Sequence, residues 1–549
     1  MSNACWRAFC LMVVGGFLLR GLALACIVPP LEMWDEYQHV GYLQYLIENH
    51  RLPIYGESAV PAPVLTQAVR FPMGPSALRQ LAGHGAVGYR PFWASFPARP
   101  TFAAGGDVRL YEALHPPLYY WLAAPLFRAA GGVTSFERSV AVLRLANLAL
   151  VGIGLAVLLT WLGNACRDRR EAMLIGLWPA LQPLYLLNAV RVSNDALAVT
   201  LGVAAVVALL RLLSTQHVSP RGMALRGSAI GLLLGLGVLA KSTDFALLPF
   251  AGVCLIALAF RRSADGRALL AAAAAMAVTF ALTTAGYYAF NLRHYQMLAP
   301  MQQTFVNRAH HAGWRDCLLW MRQHSWRIWP ALWRRWIVVD GLWFGGWSFL
   351  HPWHPLVDLY AIGLATAAPG WLFAWLFRRE RLSWRNRDSV FLDPLLVPLS
   401  LVLTAIVFCG LCVHALQALL AWGSDGTWPW YAAVAMPWML MALAAGAIGW
   451  RRSRLGYGVG ILVPIACVAA EWKGGGWQMV WTYAQLPPGR AALARLALLQ
   501  PPWLGTTTLL ACSAAAALLT GAALVWCTLE LWAAYTRHQA AADAAPAGL

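Results

Sequence analysis

Lysine is almost missing from this 549-residue sequence: Lys241 and Lys473 are the only two, and arginine supplies the rest of the basic excess behind a net charge of +18. Charge of any sign is scarce, at 12% of residues, where a soluble domain carries about a quarter. With 60% of residues hydrophobic, that scarcity argues against a water-soluble fold. Cysteines in a disulfide pattern are also lacking. The eleven present fall mostly inside apolar runs, where a thiol acts as a small hydrophobe. Cys409-Gly410-Leu411-Cys412 has redox spacing, but it sits mid-run without a second pair and reads as packing. The basic balance does not point to nucleic acid. The arginines lie in short loops between apolar runs, where they set orientation in a membrane.

What is present is a succession of apolar runs, each about long enough to cross a bilayer. They predict an all-α polytopic membrane protein with about twelve transmembrane helices: 9–29, 140–162, 172–190, 195–213, 227–240, 244–260, 268–290, 356–377, 394–422, 431–449, 456–470 and 506–532. Residues 9–29 also have features of a signal peptide, but the many later spans favour an uncleaved first helix. Pro117–Ala130 is apolar yet short, and the arginines decide its place. Leaving it out puts the loops 163–171, 211–226, 261–267, 378–392 and 450–455, each with several arginines, on the N-terminal side. The positive-inside rule then makes both termini cytoplasmic and lays 117–130 at the outer interface. Two long segments, 30–139 and 291–355, fall outside. Residues 1–536 read as one transmembrane module, and 537–549 as a disordered cytoplasmic tail.

The outer face collects the unusual residues. Glu32, Asp35 and Glu36 follow the first span directly, and carboxylates at a bilayer surface suggest function. Val40, Leu43 and Ile47 repeat at helical spacing, predicting an amphipathic helix on the membrane surface in which Asp35 and His39 share a face. The plainer alternative is that Asp35 or Glu36 caps this helix. In 111–121, His115 precedes Pro116-Pro117, and Tyr119, Tyr120 and Trp121 suit an interface. In 191–195, Ser193 or Asn194 could cap a helix, or Asp195 could supply a second carboxylate. Lys241 ends an apolar helix, where it either snorkels or meets a phosphate. Residues 291–355 hold many tryptophans and the basic candidates Arg293, Arg334 and Arg335.

The acidic pair after the first span, His-Pro-Pro-Leu-Tyr-Tyr at 115–120, Ser-Asn-Asp at 193–195 and Gly-Leu-Gly-Val-Leu-Ala-Lys at 235–241 together resemble the GT-C superfamily of membrane glycosyltransferases. The likeness covers roughly residues 9–450. It is nearest to the protein O-mannosyltransferase and aminoarabinose-transferase branches and related bacterial proteins. The resemblance implies a GT-C fold with juxtamembrane helices in the first outer loop, in a bacterial inner membrane. It also implies a polyprenyl-phosphate sugar donor and an acceptor that is a glycan, lipid or protein. It places Asp35 at the reaction centre with Glu36 and Asp195 as further catalytic acids. His115, with Lys241 and one of Arg293, Arg334 or Arg335, would hold the donor phosphate. His39, Tyr119 and Asn194 would contact substrate. Where related sequences have Gly-Arg-Tyr, this chain reads Gly426-Thr427-Trp428-Pro429-Trp430-Tyr431, without the arginine.

The chemistry follows from the groups. Asp35 would act as general base on the acceptor, cations would offset the departing phosphate, and direct attack would invert the anomeric centre. A divalent metal on Asp35 and Glu36 is an added option with no ligand set specified by spacing. The competing classes are a transporter or lipid flippase, which would place ionisable residues along a mid-membrane path, and a non-catalytic relative that binds polyprenyl lipid.

Overall fold

The computed structural model describes residues 1–214, 218–261, 265–324, 326–342, 345–376, 391–393, 395–449 and 454–543. The arginine-bearing loops expected at 378–392 and 450–455 lie mostly outside these residues, as does Trp343. Among the described residues the chain is helical, with three isolated β-bridges and no strand.

In order, the helices are α1 (Asn3–Ile27), α2 (Glu36–Asn49), α3 (Ala62–Ala68), α4 (Pro75–Leu81), α5 (Tyr89–Ser95), α6 (Leu118–Ala129), α7 (Phe136–Ala165), α8 (Arg169–Leu181), α9 (Pro183–Val190), α10 (Asp195–Leu213), α11 (Pro220–Ala240), α12 (Leu247–Ala259) and α13 (Gly266–Tyr295). Then follow α14 (Gln302–Ala309), α15 (Trp314–Gln323), α16 (Ile328–Arg334), α17 (His354–Leu376), α18 (Leu396–Trp422), α19 (Met436–Gly449), α20 (Arg454–Lys473), α21 (Val480–Ala484), α22 (Arg490–Ala497) and α23 (Thr506–Asp543). Among the described residues nine helical stretches are long and apolar enough to cross a membrane, or ten with the pair α8–α9, which bends by 54° at Gln182-Pro183. This is an all-α polytopic membrane fold. The other two expected spans are helical as well: α17, and the 14-residue α19. The expected tail from 537 begins inside α23, which runs on to Asp543; residues 544–549 lie outside the described residues.

Short polar side chains start several of these helices. Ser2, Asp168, Ser219 and Asp265 each accept a hydrogen bond from a first-turn amide of α1, α8, α11 and α13. At the α8–α9 bend Gln182 caps α9, and Pro183 occupies the first turn, where its missing N–H costs nothing. Arg20, inside α1, is neutralised by Glu471 at the end of α20. Close packing of α11 on α13 depends on Gly227 and Gly231: a Cβ at either would run into the carbonyl oxygens of Ala272 or Met276.

The long segment 30–139 differs from expectation in one respect. Helix α2 is not a surface amphipathic helix. Glu36 to Leu43 are all buried, including Gln38 and His39, because α2 is enclosed by α3, α6 and a 3-10 turn at Tyr111–Leu114. Helix α6 is two-faced: Tyr119, Tyr120, Ala123, Ala124 and Phe127 are buried, and Trp121 and Leu122 are exposed. At 12 residues it is too short to cross a bilayer. The end of α13 holds this segment, since Tyr287 donates to the Leu114 carbonyl and Tyr295 accepts from the Tyr55 amide.

Candidate active site

The turn between α1 and α2 carries Leu31 and Asp35 in left-handed backbone conformations, with φ of 66° and 60°. Such a residue costs on the order of 1–3 kcal/mol and persists only where its surroundings fix it. Here they do. Arg144, buried on α7, donates to the carbonyls of Val28 (2.7 Å) and Pro29 (2.8 Å) and to both oxygens of Glu36 (2.9 and 2.6 Å). The Val192 amide adds a bond to Glu36 at 3.0 Å. Glu32, fully buried, accepts from the amides of Gly74 and Ser348 and from the Tyr89 hydroxyl. Two of the acids are thereby saturated, and only Asp35 stays half-buried. It stands at the N-cap of α2 but makes no capping bond. Its Oδ1 instead accepts from Tyr111 at 2.5 Å.

Beside it, Glu112 and His115 form a pair across the Tyr111–Leu114 turn, with Nε2 of the histidine 2.6 Å from a carboxylate oxygen. His39 Nδ1 lies 2.8 Å from the Tyr120 hydroxyl and 3.8 Å from Glu112. Tyr120 is itself stacked on Tyr42. Burial, then the charge of Glu112, push the Asp35 carboxyl up to about 6, against the Tyr111 hydrogen bond. Glu112 moves the other way. Burial resists its ionisation, but His115, His39 and Lys241 together outweigh this and hold the carboxyl down to about 2. Burial lowers His39 to about 3, so its ring is neutral. Neighbouring carboxyls driven apart in this way suit different roles, one accepting a proton and one remaining charged.

The opposite side is basic. Asp195, the first residue of α10, is buried between Lys241, whose Nζ is 2.5 Å from Oδ1, and Arg191, which grips Oδ2. The Arg191 guanidinium lies 5.6 Å from the ring of Trp34 and 5.4 Å from that of Trp430, two indoles stacked at 4.5 Å. Its Nε and Nη1 are buried without a hydrogen-bond partner. Lys241 sits 5.3 Å from the Tyr431 ring and is buried, so it does not snorkel. Asn194 donates to the Ala240 carbonyl, and Tyr119 accepts from Asn147, which also ties the Arg191 and Ser193 carbonyls. Both therefore brace the loop before α10.

Of the residues expected to act together, Asp35, His39, His115, Asp195 and Lys241 converge. Glu36 joins them as a brace for Arg144. Arg335 is held by Asp425, Thr427 and Asp340 and lies 5.5 Å from Trp428, which stacks on Trp430. Arg293 and Arg334 are exposed and take part in none of these contacts. Tyr111, Glu112, Arg144 and Arg191 were not legible as members. The two arginines carried a signal: Arg144 lies near the start of an apolar run and Arg191 in a short loop between two, both expensive places for charge. A metal on Asp35 and Glu36 does not fit, because both Glu36 oxygens face Arg144. Among the described residues no group of three or more His, Cys, Asp or Glu side chains could hold an ion. Cavities of about 320 and 190 Å³ beside the end of α20 are lined by other residues. Around the acid cluster, Asp35, His115 and Tyr431 are half-buried.

No family model matches the chain, and no curated protein matches it in sequence. Among solved structures it is similar to ArnT from Cupriavidus metallidurans bound to undecaprenyl phosphate, at 13% identity over 97% of this chain and 76% of that one, with a TM-score of 0.43. The archaeal oligosaccharyltransferase AglB from Archaeoglobus fulgidus, in complex with an inhibitory peptide and a dolichol-phosphate, is also similar. There the identity is 13% over 88% of this chain and 56% of that one, with a TM-score of 0.40. Likenesses this distant assign no activity.

Proposed function

We propose that this chain is a GT-C-type membrane glycosyltransferase that moves a sugar from a polyprenyl-phosphate donor to an acceptor at the outer membrane face. The observation that carries the reading is the half-buried Asp35, whose neighbours Glu32 and Glu36 are fully buried, fixed in a left-handed turn near two buried cations that share one counter-charge. That arrangement separates a base from a site for developing negative charge, as glycosyl transfer from a phosphate requires.

Asp35 takes the proton from the acceptor hydroxyl or amine as the acceptor atom bonds to the anomeric carbon. The bond from that carbon to the phosphate oxygen breaks on the opposite side, so the centre inverts, and its electron pair leaves with the phosphate. Arg191 and Lys241 offset this charge, with His115 beside them. Asp195 holds both cations in place until the phosphate competes for them. Arg191, rather than Arg293 or Arg334, is the arginine for this task, because its buried Nε and Nη1 lack partners. A transporter reading gains nothing from the geometry, since these groups gather at one end of the helices.

The test uses purified protein in lipid nanodiscs with polyprenyl-phosphate sugars and membrane extract as acceptor. Asp35→Asn is expected to lower turnover by about 10²–10⁴-fold, the range for losing a general base, with unchanged solution behaviour. Wild-type transfer by the variant would falsify the assignment.

A further inference from the structure

We infer that Glu32 is a positioning residue for the reaction centre, locking the two outer segments onto the Asp35 turn through one buried carboxylate; this rests on the transferase reading above. Three stretches far apart in sequence meet on it. Its Oε2 accepts from the Gly74 amide at 2.9 Å and the Tyr89 hydroxyl at 2.7 Å, both in the first outer segment. Its Oε1 accepts from the Ser348 amide at 2.8 Å, in the second. Its main-chain carbonyl accepts from the Trp347 amide at 2.8 Å, and the Ser76 amide donates to the Trp347 carbonyl at 3.4 Å.

Sterics make the junction specific. A Cβ at Gly346 would strike the Glu32 carbonyl, and one at Gly74 would lie 2.6 Å from the Ser348 nitrogen and 2.8 Å from Glu32 Oε1. Only glycine lets the three backbones approach this closely. None of the hydrogen-bond donors to the carboxylate is a charged side chain. They are two amides and a phenol, and the carboxylate oxygens accept from all three.

The junction lies three residues before Asp35, and Trp34 between them stacks on Trp430. Movement at Glu32 therefore shifts the base and the indole under Arg191 together. The groups that bind Arg191 and Lys241 to Asp195 belong to other elements and stay in place. Loosening the junction should thus spoil alignment of the base while leaving the cations able to hold the donor.

Glu32→Gln is the discriminating variant. Its amide oxygen can serve Gly74 and Tyr89, but its NH₂ then faces the Ser348 amide, donor against donor. The expected result is a fall in kcat of roughly 10–100-fold, as misplacement by about an ångström can cost, with the donor KM nearly unchanged. Faster amide hydrogen exchange over 345–350 should accompany it. Gly346→Ala attacks the same junction from the other side and should reproduce both effects, which covers a Gln variant that fails to fold. Full turnover in both variants, or a loss confined to donor KM, overturns the positioning role. Unchanged exchange over 345–350 overturns the lock even if wild-type protein shows no transfer, whereas absence of wild-type transfer alone counts against the transferase reading.

Discussion

Asp35 and Glu36 are neighbours in the chain with opposite surroundings, and their substitutions should separate. Glu36 is half of a buried pair with Arg144. Removing one partner of such a pair costs about 3–5 kcal/mol, because the other charge stays buried. Glu36→Ala should therefore lower the thermal midpoint in detergent sharply, and Asp35→Asn should barely move it. The pH dependence belongs to Asp35. A base must be unprotonated, so turnover should rise with pH and level off above about 6. Glu112 is one of the causes that raise this carboxyl. Glu112→Gln should thus shift the acid limb of the kcat/KM profile to lower pH, and a shift upward would contradict the electrostatic account. The sequence marked Asp35, Asp195 and Lys241 because charge near a membrane exit is conspicuous, and His115 by its place before Pro116-Pro117 and the family resemblance. The resemblance ranked Asp35 first, but the residues alone left capping open for either acid, since the partners that saturate Glu36 come from α7 and the loop before α10.

At the scale of elements, runs of apolar residues were legible and their surroundings were not. Each expected span falls on helical structure, 172–190 on the bent pair α8–α9, because length and hydropathy are properties of a local stretch. Helix α2 shows the limit. Its apolar spacing suggested a surface helix, but other outer-segment elements enclose it and bury its polar residues too. Burial of that kind depends on contacts across the chain. The α11–α13 contact yields a prediction at this scale. Gly231→Val places side-chain atoms against the Met276 carbonyl, and overpacking of this sort costs about 1–3 kcal/mol. A lower thermal midpoint with normal membrane insertion is expected.

For the whole molecule, orientation is the central expectation. Gly106 and Arg334 are exposed in the two long segments, and Arg167 is exposed in a loop expected on the opposite side. Cysteines placed at 106 and 334 should react with a membrane-impermeant maleimide in intact cells. One at 167 should react only after permeabilisation, each measured against the parent protein with its eleven native cysteines. Labelling in the reverse pattern would place the acid cluster on the cytoplasmic side and remove the outer-face reading.

The sequence by itself determined that the chain is a helical membrane protein and where its costly charges lie. Both follow from additive transfer energies of residues along a line. Tertiary structure decided which charges are free. Arg144, Gly74, Tyr89 and Ser348 reach the 32–36 stretch from distant parts of the chain and consume Glu32 and Glu36. Arg191 and Lys241 converge on Asp195 from separate helices. A carboxylate becomes a base only when donors bind its neighbours and leave it open, and hydrogen-bond geometry in three dimensions makes that selection.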